Sequence, residues 1–162
     1  MYFGKSYASF SGCNLFLNGK ELEFVGEWKY LGITITTGSS FSCSSQKCLN
    51  TFYRSANSIL NVMRRPRESI QMKILYAISV PHLSYGCDVI EFSAKEMNRL
   101  HVALNDAIRK IFTFARWESV KILRESFGYL SITEIFAKRK IKFMQRIPSI
   151  GNPILTHLIN VE

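Results

Sequence analysis

The chain opens with short alternations of apolar and polar residues and then changes to spacings of three and four. Asn14-Leu15-Phe16-Leu17 runs into Asn18-Gly19, a pair that tolerates the positive φ of a tight turn, and Leu22-Glu23-Phe24-Val25 follows. Residues 14–25 therefore read as a β-hairpin. Tyr30-Leu31-Gly32-Ile33-Thr34-Ile35-Thr36 is β-branched and alternating, and reads as a third strand that ends in the Thr37–Ser40 loop.

From about residue 43 the period is helical. Leu49, Phe52, Tyr53, Ala56, Ile59, Leu60 and Met63 recur on one face, and Pro66 separates them from a second helix carrying Ile70, Ile74, Leu75 and Ile78. Pro81 is expected to end or kink that helix, and Gly86 adds a further break. Ser93 to Glu96 forms a capping box opening a long helix whose dry face holds Leu100, Ala103, Leu104, Ala107, Ile108 and Ile111. A short helix around 118–126 stops at Gly128. A second capping box, Ser131 to Glu134, starts a helix that turns Ile132, Ile135, Phe136, Phe143 and Ile147 inward and closes at Pro148. The expected class is α+β: a small antiparallel β element over 1–40, then a mainly α-helical domain of about five helices over 41–162.

Charge changes this picture. The chain has 21 Lys and Arg against 12 Asp and Glu, a formal net charge of +9. Lys5, Lys20 and Lys29 balance Glu21, Glu23 and Glu27 before residue 42, so the whole excess lies in the helical part. That asymmetry favours an anionic partner, nucleic acid first. Lys138, Lys142 and Arg146 fall at i, i+4 and i+8 on the last helix, with Arg139 and Lys140 thickening the stripe. Arg64, Arg65 and Arg67 cluster between the first two helices, with Arg54 upstream. Both clusters suit a phosphate backbone, although a basic helix face is often simply solvated. Phe52, Phe112, Phe136 and Phe143 are expected in the core. Trp28, Tyr30 and Trp117 lie near loops and are also expected to pack, with base stacking as the other use of such rings.

Catalytic chemistry is thin. Asp88 and Asp106 are the only aspartates, with a helix break between them, so no paired carboxylates for two Mg²⁺ ions emerge. There is no GxxxxGK[ST] phosphate loop, no nucleophile elbow and no nucleophile set. Cys13, Cys43, Cys48 and Cys87 form no CxxC pair, and His82, His101 and His157 have no ligand spacing to them; buried or incidental thiols are expected, with no metal. No apolar run approaches the roughly 18 residues of a membrane span, and the N-terminus has no signal-like apolar core. The expectation is an intracellular protein, in nucleus or cytoplasm, with no membrane partner.

Several strings carry more information. Val25-Gly26-Glu27-Trp28-Lys29-Tyr30-Leu31-Gly32-Ile33, then Leu75-Tyr76 with Val80-Pro81-His82-Leu83-Ser84-Tyr85-Gly86, then Ala107-Ile108-Arg109-Lys110-Ile111 appear in that order. Together they resemble the "V…KYLGI", "LY…P.L.YG" and "R.I" elements after the palm of non-LTR (LINE-type) retrotransposon reverse transcriptases. Leu123 to Ile132 is similar to a later "R…G…PL…I" element, with Leu130-Ser131 where Pro-Leu is usual, and Met1 to Lys5 resembles the stretch just after the catalytic aspartates. The likeness covers roughly residues 1–147.

The resemblance implies an RNA-directed DNA polymerase whose Mg²⁺-binding palm aspartates would lie upstream of Met1. It implies a primer grip at Lys29, Tyr30, Leu31 and Gly32, and thumb helices that hold a template–primer duplex through Arg54, Arg64, Arg65, Lys138, Lys142 and Arg146. Met1 then reads as an internal methionine of a longer element, with the upstream palm as a partner. This chain alone is expected to have no cofactor and no polymerase activity. The alternative is a stand-alone basic helical module that binds nucleic acid or another protein. The purified chain should give no Mg²⁺-dependent primer extension; detectable extension would overturn that expectation.

Overall fold

The computed structural model of the chain describes residues 1, 3–5, 14–39, 42–62 and 67–151. Its class is α+β, with two small antiparallel sheets ahead of the helices. Strands β1 (Leu15–Leu17) and β2 (Lys20–Leu22) form the first hairpin, with Leu15 opposite Leu22. Asn18 and Gly19 adopt φ of +51° and +77°, the type I′ turn expected of an Asn-Gly pair.

The second sheet departs from the single strand read over Tyr30–Thr36. Strand β3 (Glu27–Tyr30) turns back at Leu31-Gly32 into β4 (Ile33–Thr36), and β5 (Ser42–Ser44) completes a meander in the order β3-β4-β5. Leu31 and Gly32 have φ of +46° and +84°. A leucine in a left-handed turn position is atypical, and it disguised a two-residue turn as strand interior. The last strand also carries the sheet beyond residue 40, up to the first helix.

Helix α1 (Gln46–Val62) buries Leu49, Phe52, Ala56 and Ile59. Next, α2 (Glu68–Ile74), a π-turn (Leu75–Ser79) and α3 (Val80–Leu83) run on without interruption. Pro81 therefore does not end the helix, which runs on to Leu83. Proline has no N–H for the carbonyl four residues back and its ring crowds that carbonyl. The wider turn immediately before it, closed by the Val80 N–H on the Leu75 carbonyl, absorbs the fault. The wider turn also shifts the dry face beyond it: Leu75 and Val80, five apart, are buried with Met72 and Leu83, whereas Ile78 is exposed; Ile70, ahead of the turn, is exposed as well. Ser79, fully buried on the π-turn, meets Ser55 of α1 at 2.8 Å.

Helix α4 (Ala94–Phe112) buries the six apolar residues expected of it. Its capping box is only half formed. The Glu96 N–H donates to Ser93 Oγ, and the Glu96 carboxylate accepts from the Ser93 hydroxyl at 3.3 Å but takes the backbone N–H of Ser45, at 3.1 Å, in place of that of Ser93, joining α4 to the start of α1. Helix α5 (Lys121–Ser126) stops before Gly128, where φ is +72°. Helix α6 (Ile132–Arg146) has the full reciprocal box between Ser131 and Glu134. Phe52, Met72, Leu75, Leu83, Leu100, Leu104, Ile108 and Ile132 meet in one core between the helices. At about 1.5–3 kcal/mol for each fully buried side chain, that core outweighs anything the exposed first hairpin contributes.

Ser131 sets both the start of α6 and the ionisation of Glu134. Hydrogen bonds from the Ser131 hydroxyl and backbone N–H hold the Glu134 carboxyl below the ordinary glutamate range. Its contribution to stability is therefore present at neutral pH and is lost as acid protonates it. Ser131→Ala should lower stability by about 1 kcal/mol in urea denaturation. It should also flatten the loss of stability on the acid side; an unchanged midpoint and an unchanged acid limb would show that the box is idle.

Candidate nucleic-acid interface

One face of α6 carries Ile132 and Phe136 into the core, and this fixes what the opposite face presents. Lys138, Lys142 and Arg146 all point to solvent. None of the three makes an ion pair or a side-chain hydrogen bond with another described residue. Arg139 and Lys140 do not thicken this stripe. One residue on, a helix has rotated by about 100°, which turns them toward the turn after α3. Arg139 donates to the Ser84 carbonyl at 3.0 Å and to Ser84 Oγ at 2.7 Å, and its Nε lies 3.2 Å from Asp88. Lys140 pairs with Glu91 at 3.3 Å.

The turn that Arg139 holds carries Tyr85 and Gly86, and these two receive the β3–β4 hairpin. The Tyr85 hydroxyl donates to the Leu31 carbonyl at 2.8 Å. Its ring lies over Gly32, where an added Cβ would come 3.6 Å from Tyr85 Cε1. Gly86 has φ of +76°, and an added Cβ there would come 3.0 Å from Ile33 Cδ1 and from Ile90 Cδ1. Of the four residues expected at a primer end, Lys29 and Tyr30 thus lie on β3, and Leu31 and Gly32 form its turn. A cleft of about 210 Å³ opens beside this turn, lined by Gly32, Lys47, Cys48, Thr51, His82 and Tyr85.

Lys47 is a residue that sequence reasoning missed. It sits in the first turn of α1, eighteen positions from Lys29, and nothing in the linear pattern pairs them. The neighbouring Lys29 side chain, through hydrogen bonding and the repulsion of its charge, holds the exposed Lys47 amine below the ordinary lysine value.

Arg54 is exposed on α1 and Arg67 is exposed just ahead of α2, while Arg64 and Arg65 lie outside the described residues, as do Cys13 and His157. The packing expected of three aromatic residues is overturned: Trp28 is 59%, Tyr30 60% and Trp117 87% exposed. The first two sit on β3, whose four residues are all exposed, and Trp117 sits in a turn. Both aspartates are occupied by arginines, Asp88 by Arg139 and Asp106 by Arg109 at 2.8 Å. Among the described residues no group of three or more His, Cys, Asp or Glu could hold a metal ion. Burial raises the Cys87 thiol to about 11 and also raises Cys43 and Cys48, which disfavours thiolate chemistry at all three. No described helix is long and apolar enough to cross a membrane.

Gly86→Ala combines a left-handed backbone with contacts to two side chains and should cost more than about 1 kcal/mol in urea denaturation. Amide exchange at residues 30–34 should speed up in that variant beyond the global change, because the seat of the β3–β4 turn is displaced. Exchange that tracks global stability alone would show that the turn holds its shape without Gly86. No family model, no curated protein and no solved structure matches the chain.

Proposed function

We propose that the chain is the post-palm part of a non-LTR retrotransposon reverse transcriptase, which holds a template–primer duplex and contributes no polymerisation chemistry of its own. The observation that carries this reading is the docking of the KYLG turn on the YG turn. Two strings that point to the same family lie more than fifty residues apart, and Tyr85 reaches Leu31 directly across that gap. In this reading the β3–β4 turn faces the primer end, with Lys29 and Lys47 beside it for a phosphate. Helix α6 lies along the duplex, and Lys138, Lys142 and Arg146 contact phosphates and read no bases. The upstream palm is the partner of the sheet, and Mg²⁺ belongs to that palm.

A protein-interaction role is the other reading, and the first hairpin favours it. Leu15, Phe16, Leu17, Leu22 and Phe24 are all exposed, a larger apolar surface than a two-stranded hairpin keeps without a cover. A salt titration separates the two. Changing Lys138, Lys142 and Arg146 together to Gln should weaken binding to duplexes of any sequence by a similar factor. The slope of log K against log salt should fall by roughly 0.9 per lost contact on B-form DNA. Folding should be retained, because exposed charge changes alter stability by about 0.5 kcal/mol or less. A preference for an RNA–DNA hybrid with a recessed 3′ end supports the polymerase reading, whereas an unchanged slope removes α6 from the interface.

A further inference from the structure

A second basic surface lies away from α6, in the groove where α1 meets α4. Two adjoining clefts, of about 630 and 220 Å³, share Tyr53 as a common wall. Arg99 and Val102 line the smaller one, and Asp106, Arg109, Lys110 and Thr113 line the larger one. Steps of three and four place these residues on one stripe of α4, so the groove follows the helix for about 16 Å from Arg99 to Lys110. The larger cleft holds Arg109, Lys110 and Arg116 against the single carboxylate of Asp106. The negative end of the α4 dipole offsets about half a charge, which leaves the cleft cationic.

The far end of the groove is built rather than loose. Arg109 donates to Asp106 at 2.8 Å and, through Nε, to the Glu118 carbonyl at 3.0 Å. The Glu118 N–H donates to the Ala115 carbonyl at 3.0 Å, and the Glu118 carboxylate accepts from the Ala115 N–H at 3.1 Å. Residues 115–118 thus form a turn pinned at both ends, with Arg116 and Trp117 at its two central positions. Such positions ordinarily hold Gly, Pro, Asn or Asp, and an exposed Arg-Trp pair gives the turn no local advantage. Trp117 is 87% exposed, and neither Lys110 nor Arg116 has a partner among the described residues. Tyr53 is steadied from below by an edge-on contact with buried Phe52 at 5.7 Å.

We infer that this groove binds a single strand of nucleic acid. Lys110 and Arg116 take the phosphates, with Arg99, whose guanidinium also donates to Gln46 Oε1 at 2.5 Å, at the near end. Tyr53 on the groove wall and Trp117, next to Arg116 at its rim, each offer a face to an unpaired base. Stacking on an aromatic side chain requires a base that a duplex keeps inside its own stack, so the exposed rings favour a single strand over a duplex. RNA and DNA strands share this chemistry. The groove and α6 are separate surfaces, so each can fail alone.

The test uses the full chain and end-labelled oligonucleotides of about ten nucleotides, one RNA and one DNA, with a blunt duplex of the same sequence. Binding is read by fluorescence anisotropy. The variant K110Q/R116Q/W117A, altered only at exposed positions, should bind at least one single strand about tenfold more weakly than wild type and the duplex as wild type does. Its salt slope on the strand should fall by roughly 0.7 per lost contact. The α6 variant K138Q/K142Q/R146Q should do the reverse. Quenching of Trp117 emission by the strand, read in a Trp28→Phe background, tests stacking without disturbing the groove. Loss on RNA alone, on DNA alone or on both upholds the groove and assigns the strand. Wild-type chain that binds duplex but no single strand overturns the groove and leaves the reading of α6 intact. Equal strand affinity in the groove variant and wild type, or no quenching, also overturns it.

Discussion

Arg139 joins the two halves of this protein. Its guanidinium leaves α6, holds the turn after α3 through Ser84 and Asp88, and so fixes Tyr85 and Gly86 beneath the β3–β4 hairpin. The ion pair is the lesser part of this link. Arg139 is 41% and Asp88 28% exposed in their side chains, and solvent screens such pairs to at most about 1 kcal/mol. Ser84 is the larger part, because it is only 2% exposed. Without Arg139 its hydroxyl would have only a 3.4 Å contact with the Pro81 carbonyl, and desolvation of a poorly bonded buried group costs about 1–3 kcal/mol. A second tie runs in parallel: Tyr76 stacks on Tyr129 at 4.1 Å, and its hydroxyl donates to the Leu130 carbonyl just before α6. The helix that carries the free cations is thereby fastened to the rod that seats the sheet.

The helices were legible in the sequence because their dry faces repeat over many residues. Leu100 to Ile111 and Ile132 with Phe136 are buried as their spacing requires, and Ser131 to Glu134 is the complete capping box its letters promise. What the pattern hid was local and idiosyncratic. Leu31-Gly32 concealed a turn because leucine rarely accepts positive φ, and Pro81 concealed a continuous rod because the preceding turn widened around it. Glu96 has the spacing of a cap but spends its carboxylate on Ser45, fifty-one residues away, a choice that only tertiary structure makes.

The basic residues sort in the same way. Spacing alone put Lys138, Lys142 and Arg146 on one face, but it could not separate them from Arg139 and Lys140, whose partners come from the turn after α3 and the chain beyond it. Nor could it find Lys47 beside Lys29, or the turn that lifts Arg116 and Trp117 beside the α1–α4 groove. Partnering, rather than count, tells a cation kept for a ligand from one that fastens the fold. By that measure α6 and the α1–α4 groove each keep cations without a partner among the described residues, Lys138, Lys142 and Arg146 on the one and Lys110 and Arg116 on the other.

The two hairpins of this chain have the same kind of two-residue turn, built from different residues. The first uses Asn18-Gly19, a pair at ease in that geometry; the second uses Leu31-Gly32. Leucine at φ of +46° gives up roughly 1–2 kcal/mol, and 72% of its surface remains in water, so no burial offsets the loss. Position 31 is therefore a place where thermal resistance and purpose pull apart. Asparagine there would raise the melting temperature, and it would remove the one apolar side chain at the tip of the hairpin. A screen for hardier versions of this protein would select that exchange early, and would discard with it whatever the leucine touches outside the fold.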